Sequence, residues 1–241
     1  SKGVASVCRR TLRDEWRAAS VGMGVVLVVM TRLFRLWELR PRVPIINWGD
    51  AAFIMGTLRN VLVSGWYSTS DLVGVPYGQD LRDYPAVGDL LHVAMSWLLV
   101  SLTGEPALTL NLFFFGSYFT VFLGAYAGSR MLAIGQWSAV SVGVLYTFLP
   151  FHVLHGPSHL FLSSYGAVPL FVALAVRQMG DRPLVDSLPG IRRWRTWLGW
   201  VRQPAHLAAI VIVLLGATTG IYYAVFLVFT LLVAGVIAGL A

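Results

Sequence analysis

The feature that most constrains this chain is the recurrence of apolar runs close to the ~20 residues that cross the hydrocarbon core of a bilayer. They fall at about 18–37, 107–127, 136–150, 159–176 and 204–241. The expected fold is therefore all-α, a polytopic membrane helix bundle of about six transmembrane helices. Composition points the same way. Hydrophobic residues make up 57% of the chain and charged residues 12%, against about 25% charged in a soluble domain. The last run would be roughly 55 Å long as one helix at 1.5 Å per residue. It is expected to break near Gly216–Gly220 into two helices, with 217–223 (ATTGIYY) at one membrane surface. The chain stops within an apolar run, LLVAGVIAGLA, and is expected to be part of a longer protein.

The formal net charge of +7 sits mostly on arginines in two segments, 1–17 and 177–203. This pattern fits loops held on the cytoplasmic side better than a nucleic-acid surface, and no nucleic-acid partner is expected. A single cysteine, Cys8, excludes an internal disulfide framework and a cysteine metal site. Residues 1–17 lack a cleavage-site pattern and read as a basic cytoplasmic tail, not a signal peptide. The remainder, 18–241, reads as one transmembrane module.

Between the first and second long runs lies the polar and aromatic stretch 41–85, inside a first outer loop spanning 38–106. With Glu38 just before it, it carries five of the eleven carboxylates, the others being Asp50, Asp71, Asp80 and Asp83. Ile54, Leu58 and Leu62 form a stripe at i, i+4, i+8, so 50–65 predicts a helix too short to span, lying along the interface. Residues 66–85 are rich in Gly, Pro and Asp and predict a loop. Residues 86–103 are apolar enough to span but are interrupted by Asp89 and His92. With the arginine-rich loop 177–203 and Arg130 both inside, counting back makes 86–103 a second interfacial or re-entrant helix. Trp194, Trp197 and Trp200 among the arginines predict a segment lying on the inner leaflet. The N-terminus is then cytoplasmic, and the polar loops face the extracytoplasmic side of the cell membrane.

On that topology four groups reach the outer face. They are Asp50 in NWGDAAF, the cluster Gln79–Asp80–Arg82–Asp83, the histidines His152, His155 and His159, and Thr218–Thr219–Tyr222–Tyr223. A carboxylate where water meets lipid headgroups can accept a proton from an attacking hydroxyl, and Asp50 is so placed. It can equally cap the helix that follows it. The histidine spacings of three and four resemble those of metal ligands on a helix, but Gly156–Pro157 interrupts such a helix. They are either hydrogen-bonded loop histidines or binders of phosphate or a cation, His159 above all. Arg82 is either an ion-pair partner of Asp80 and Asp83 or a fork for a lipid phosphate. Asp89 and His92 read as the polar face of their helix. Phosphate-binding glycine loops, GxSxG and HExxH are absent.

In order and local character the chain resembles the N-terminal module of the GT-C superfamily, integral-membrane glycosyltransferases that use polyprenyl-phosphate sugars. The resemblance rests on NWGDAAF after the first helix, Asp83–Tyr84–Pro85 before the next apolar run, the basic turn GSRMLAIGQW, and LPFHVLHGPSHLFLSSY. It implies an inverting transfer from a polyprenyl-phosphate-linked sugar to a glycan or protein acceptor. Asp50 would be the general base, and Asp83 and His159, with Asp80 and Arg82 nearby, would bind donor phosphate or a divalent cation. His152, His155, Tyr222 and Tyr223 would line the site. The chain departs from the pattern in having Ala51 where many members have a second acid. It also has Tyr84 where some relatives have a lysine. Two other readings stand beside it. One is a non-catalytic GT-C-like subunit of a larger complex. The other is a transporter of lipid-linked sugars, which the few polar residues in the helices (Asn111, Ser117 and Thr120; Ser138 and Ser141) make less suitable.

Overall fold

The computed structural model describes residues 2–71, 74, 76–82, 89–156, 158–180, 183–185 and 194–240. The fold is all-α apart from one minimal hairpin. In chain order the elements are α1 (Lys2–Leu33), α2 (Asp50–Ser64), β1 (Thr69–Ser70), β2 (Gln79–Asp80), α3 (Leu90–Thr103), α4 (Pro106–Met131), α5 (Gln136–Thr147), a π-turn (Phe151–His155), α6 (Ala167–Gln178), α7 (Trp194–Val201), α8 (Pro204–Thr218) and α9 (Ile221–Leu240). The strands β1 and β2 pair antiparallel, Thr69 opposite Asp80 and Ser70 opposite Gln79.

Among the described residues, four helical stretches are long and apolar enough to cross a membrane: Arg13–Leu33, Pro106–Met131, Gln136–His155 and Ile221–Leu240. Three apolar helices, α3, α6 and α8, are shorter. The expected run at 159–176 is not one helix. Residues 159–166 form turns, and α6 begins only at Ala167. Serine hydroxyls here satisfy the backbone locally, Ser158 Oγ on the His155 carbonyl at 3.0 Å and Ser163 Oγ on that of Leu160 at 2.7 Å, which competes with helix propagation. The basic tail is helical too, continuous with α1 from Lys2. The break in the last run falls at Thr219–Gly220, as expected, with Gly220 at φ 149.

Helix α4 is the hub. It packs against α1, α2, α3, α5 and α6, and 56% of its most apolar window is buried, against 17% for α9. Two devices let neighbours approach it. Gly124 and Gly128 form a G-x-x-x-G face toward α6: a Cβ at Gly124 would lie 1.9 Å from the Gly166 carbonyl, and one at Gly128 2.6 Å from that of Pro169. Small residues at this spacing allow backbone-to-backbone packing. On the other side the Phe122 ring fills the space left by Gly22 of α1 and Gly143 of α5.

Near the start of α4, Asn111 anchors the chain leading to α2. Its amide nitrogen donates to the carbonyls of Pro41 (2.9 Å) and Val43 (2.8 Å), and its carbonyl accepts from the Ile45 N–H at 3.1 Å. The side chain is buried and its hydrogen-bonding capacity is used on one five-residue segment. Asn111 is thus a clamp for the first loop.

Candidate functional site

The clamp delivers the chain to Asn47–Trp48–Gly49–Asp50. Gly49 is the N-cap residue of α2, at φ 63 and ψ −146, a conformation that favours glycine. A Cβ there would also press on the Ser158 carbonyl at 3.3 Å. With that space clear, the Asp50 N–H donates to the same carbonyl at 3.1 Å. The first loop and the loop after the π-turn are thereby sewn together by backbone. Asp50 is the first residue inside the helix, with Gly49 at the cap position, and among the described residues its side chain pairs with His159 and not with a backbone N–H. Its Oδ2 lies 3.0 Å from His159 Nδ1. A carboxylate only accepts, so Nδ1 carries the proton. Both side chains are about half exposed, and the pair opens outward.

A second carboxylate completes the site. Asp89, the N-cap residue of α3, is pushed up to about 6, first by burial and then by the charge of Asp50. Gly220 makes room for it: a Cβ there would sit 2.8 Å from Asp89 Oδ1. The site therefore forms where the N-termini of α2, α3 and α9 meet the 158–159 loop. Two carboxylates in unlike settings, one beside an imidazole and one desolvated, hold protons differently, the arrangement that divides acid and base roles. Asp89 was read from sequence only as a polar face. The available signal was a lone carboxylate immediately before an apolar helix.

The other predicted residues have separate fates. His155 is exposed, its ring 6.3 Å from that of His159, and it borders the site. His152 does not line the site. It is fully buried, stacked on Tyr118 at 3.9 Å, with Nδ1 2.9 Å from the Thr147 carbonyl and Nε2 2.8 Å from Ser117 Oγ. The π-turn rotates it inward while leaving His155 outside. His92 is likewise buried, against Phe113 and Phe161, and not on a polar face. Tyr223 is buried beside Gly220 and its hydroxyl donates to the Leu162 carbonyl. Tyr222 is exposed on α9.

Arg82 and Asp80 form an exposed ion pair on the hairpin, Arg82 Nε 2.8 Å from Asp80 Oδ2. The guanidinium holds the Asp80 carboxyl down at about 2. Neither residue contacts Asp50 or His159 among the described residues. Asp83, with Tyr84 and Pro85, lies outside the described residues. Among those described, no three His, Cys, Asp or Glu side chains are grouped to hold a metal ion.

Compared with protein-family models, curated proteins and solved structures, the chain matches none. The class defined by its fold and site is a helical protein with four helices, among the described residues, of membrane-crossing length and a group of two carboxylates and one imidazole where loop and helix ends meet.

Proposed function

We propose that this chain is the catalytic module of a polytopic membrane glycosyltransferase of the GT-C kind, transferring a sugar from a polyprenyl-phosphate donor to an acceptor hydroxyl with inversion. The observation that carries this reading is the approach of Asp50 to His159, 109 positions apart in sequence, beside Asp89, whose carboxyl is pushed up to about 6. Counting α6 and α8 as short spans brings the total to six. The amino-terminal tail then lies in the cytoplasm of a plasma-membrane protein and the carboxylate cleft lies outside. The position of Arg130 nineteen residues after Asn111, about 28 Å along α4, supports placing the basic turn and the cleft on opposite faces.

In the proposed reaction the Asp50 carboxylate takes the proton of the acceptor hydroxyl, and His159 Nδ1–H orients that carboxylate. The acceptor oxygen forms a bond to the anomeric carbon as the bond from that carbon to the phosphate oxygen breaks. The electron pair leaves with the lipid phosphate. Below about pH 6 the protonated form of Asp89 donates a hydrogen bond to a phosphate oxygen, which a charged carboxylate could not do.

The test is release of polyprenyl phosphate from labelled polyprenyl-phosphate mannose, glucose and arabinose by the chain in nanodiscs. Release is expected with one of these donors and lost in Asp50→Asn. Unchanged release in that variant would remove the base assignment. Sidedness is checked separately with a membrane-impermeant maleimide on Gln79→Cys in a Cys8→Ser background, expected to label from outside the cell.

A further inference from the structure

A second concavity lies beside the site, between the outward face of α2 and the β1–β2 hairpin. Its volume is about 330 Å³, within the range of small-ligand sites. Its lining includes the half-buried Phe53, the margin of the otherwise buried Tyr67, Thr57, Arg59 and Gln79. Aromatic faces mixed with planar polar groups suit a sugar, whose C–H faces are apolar and whose rim is hydroxylated.

Three observations make this more than surface relief. First, the polar groups are uncommitted: neither Arg59 nor Gln79 has a side-chain partner among the described residues. Second, the walls are held. The Asn60 amide donates to the carbonyls of Trp66 (3.2 Å) and Thr69 (2.6 Å), and the Leu81 N–H donates to the Ser68 carbonyl at 2.6 Å. Third, the groove runs along the same helix that carries Asp50. Phe53 and Thr57 stand at i+3 and i+7 from Asp50 and share its face of α2. Arg59, nine residues on, lies about 14 Å along the axis and half a turn round the helix from Asp50, so it faces the groove and not the carboxylate. Gly56, at the middle of the floor, has nothing within 4 Å of a would-be Cβ.

We propose that this groove binds an acidic oligosaccharide, with Arg59 meeting its carboxylate or phosphate. Its role as acceptor site rests on the transferase reading above; the binding itself does not. The test therefore measures binding without turnover, by saturation-transfer NMR on the full chain in phosphatidylcholine nanodiscs. The probe is a tetrasaccharide of alternating glucuronate and N-acetylglucosamine, with chitotetraose as the neutral comparator. The acidic probe is expected to bind, and Gly56→Trp, which fills open space and leaves the thermal midpoint in place, to abolish binding. Arg59→Ala is expected to weaken the acidic probe about tenfold and leave the neutral one unchanged. Absence of binding to the wild type, or equal binding to Gly56→Trp, overturns the proposal. So does displacement of the probe by phosphatidylglycerol in the nanodisc, which would make a lipid headgroup the occupant. Failure of transfer with binding retained would count against the transferase reading alone.

Discussion

Two ion pairs join parts of this chain more than a hundred residues apart, and they are built in opposite ways. Arg130 and Glu15 lock α4 to α1. The guanidinium donates to both carboxylate oxygens, at 2.6 and 3.0 Å, and to the Ile134 carbonyl, while the Tyr126 hydroxyl donates to Glu15 Oε2 at 2.6 Å. Acceptors and donors are matched and the pair is about two-thirds buried. The Asp50–His159 pair has a single contact, half-exposed partners and a second carboxylate close enough to feel its charge. A saturated pair can only hold structure, whereas an unsaturated one beside a desolvated acid has capacity left for a substrate. On the proposed reading, that contrast gives a structural role to the Arg130–Glu15 pair and chemistry to the Asp50–His159 pair.

The largest effect expected from breaking the contrast is on turnover. Asp50→Asn should lower polyprenyl phosphate release by about 10²–10⁴-fold with little change in thermal midpoint. Next comes packing at the hub. Gly124→Leu places side-chain atoms where the Gly166 carbonyl lies, and should destabilise the bundle by at least about 1–3 kcal/mol, read as a fall in midpoint or loss of the folded fraction in detergent. At the saturated pair, Arg130→Met leaves a partly buried Glu15 without its cation and should cost about 1–3 kcal/mol. If transfer by the remaining folded protein falls as far as it does in Asp50→Asn, the division of roles is wrong.

A subtler effect sharpens the comparison through pH. The Asp89 pKa rises on folding from an ordinary carboxylate value to about 6, so the folded state takes up a proton between about pH 4 and 6. This group's contribution to stability therefore declines as pH rises through that window and is flat above it. Asp89→Asn should remove that decline from a plot of midpoint against pH. If the protonated acid serves the donor phosphate, kcat/KM of the wild type also falls above about pH 6, and Asp89→Asn, still a donor, flattens the profile. The smallest effect concerns the exposed Asp80–Arg82 pair. Arg82→Ala removes an exposed contact and should leave both midpoint and transfer unchanged, since surface pairs of this kind contribute little. A large loss of transfer would restore Arg82 to the site.

Much of the fold was legible in one dimension. The stripe marked α2 and two of its members, Ile54 and Leu58, are buried, but Leu62 is exposed and Val61 with Asn60 completes the buried face; the helix ends at Ser64 with a left-handed Gly65. Helix α3 covers residues 90–103 of the expected segment 86–103, about 21 Å of helix. Apolar length failed at 159–176, where short hydroxyl bonds and the demand that Gly166 approach α4 replaced the first turns of a helix. The histidine run shows the same limit. Spacings of three and four are a helical pattern, but a π-turn advances the chain differently, burying His152 and leaving His155 and His159 outside.

By itself, then, the sequence determined that the chain is helical, where α2 and the final break lie, and that Asp50 heads a short helix within the first polar loop while His159 stands at the margin of an apolar run. These follow from hydropathy and local backbone preference, which act over a few residues. Tertiary structure alone decided that Asp50 meets His159, that Asp89 joins them, and that Asn111 serves as a clamp. Pairing, desolvation and clamping depend on which groups are brought within a few ångströms across a hundred residues of chain, and no local pattern encodes that distance.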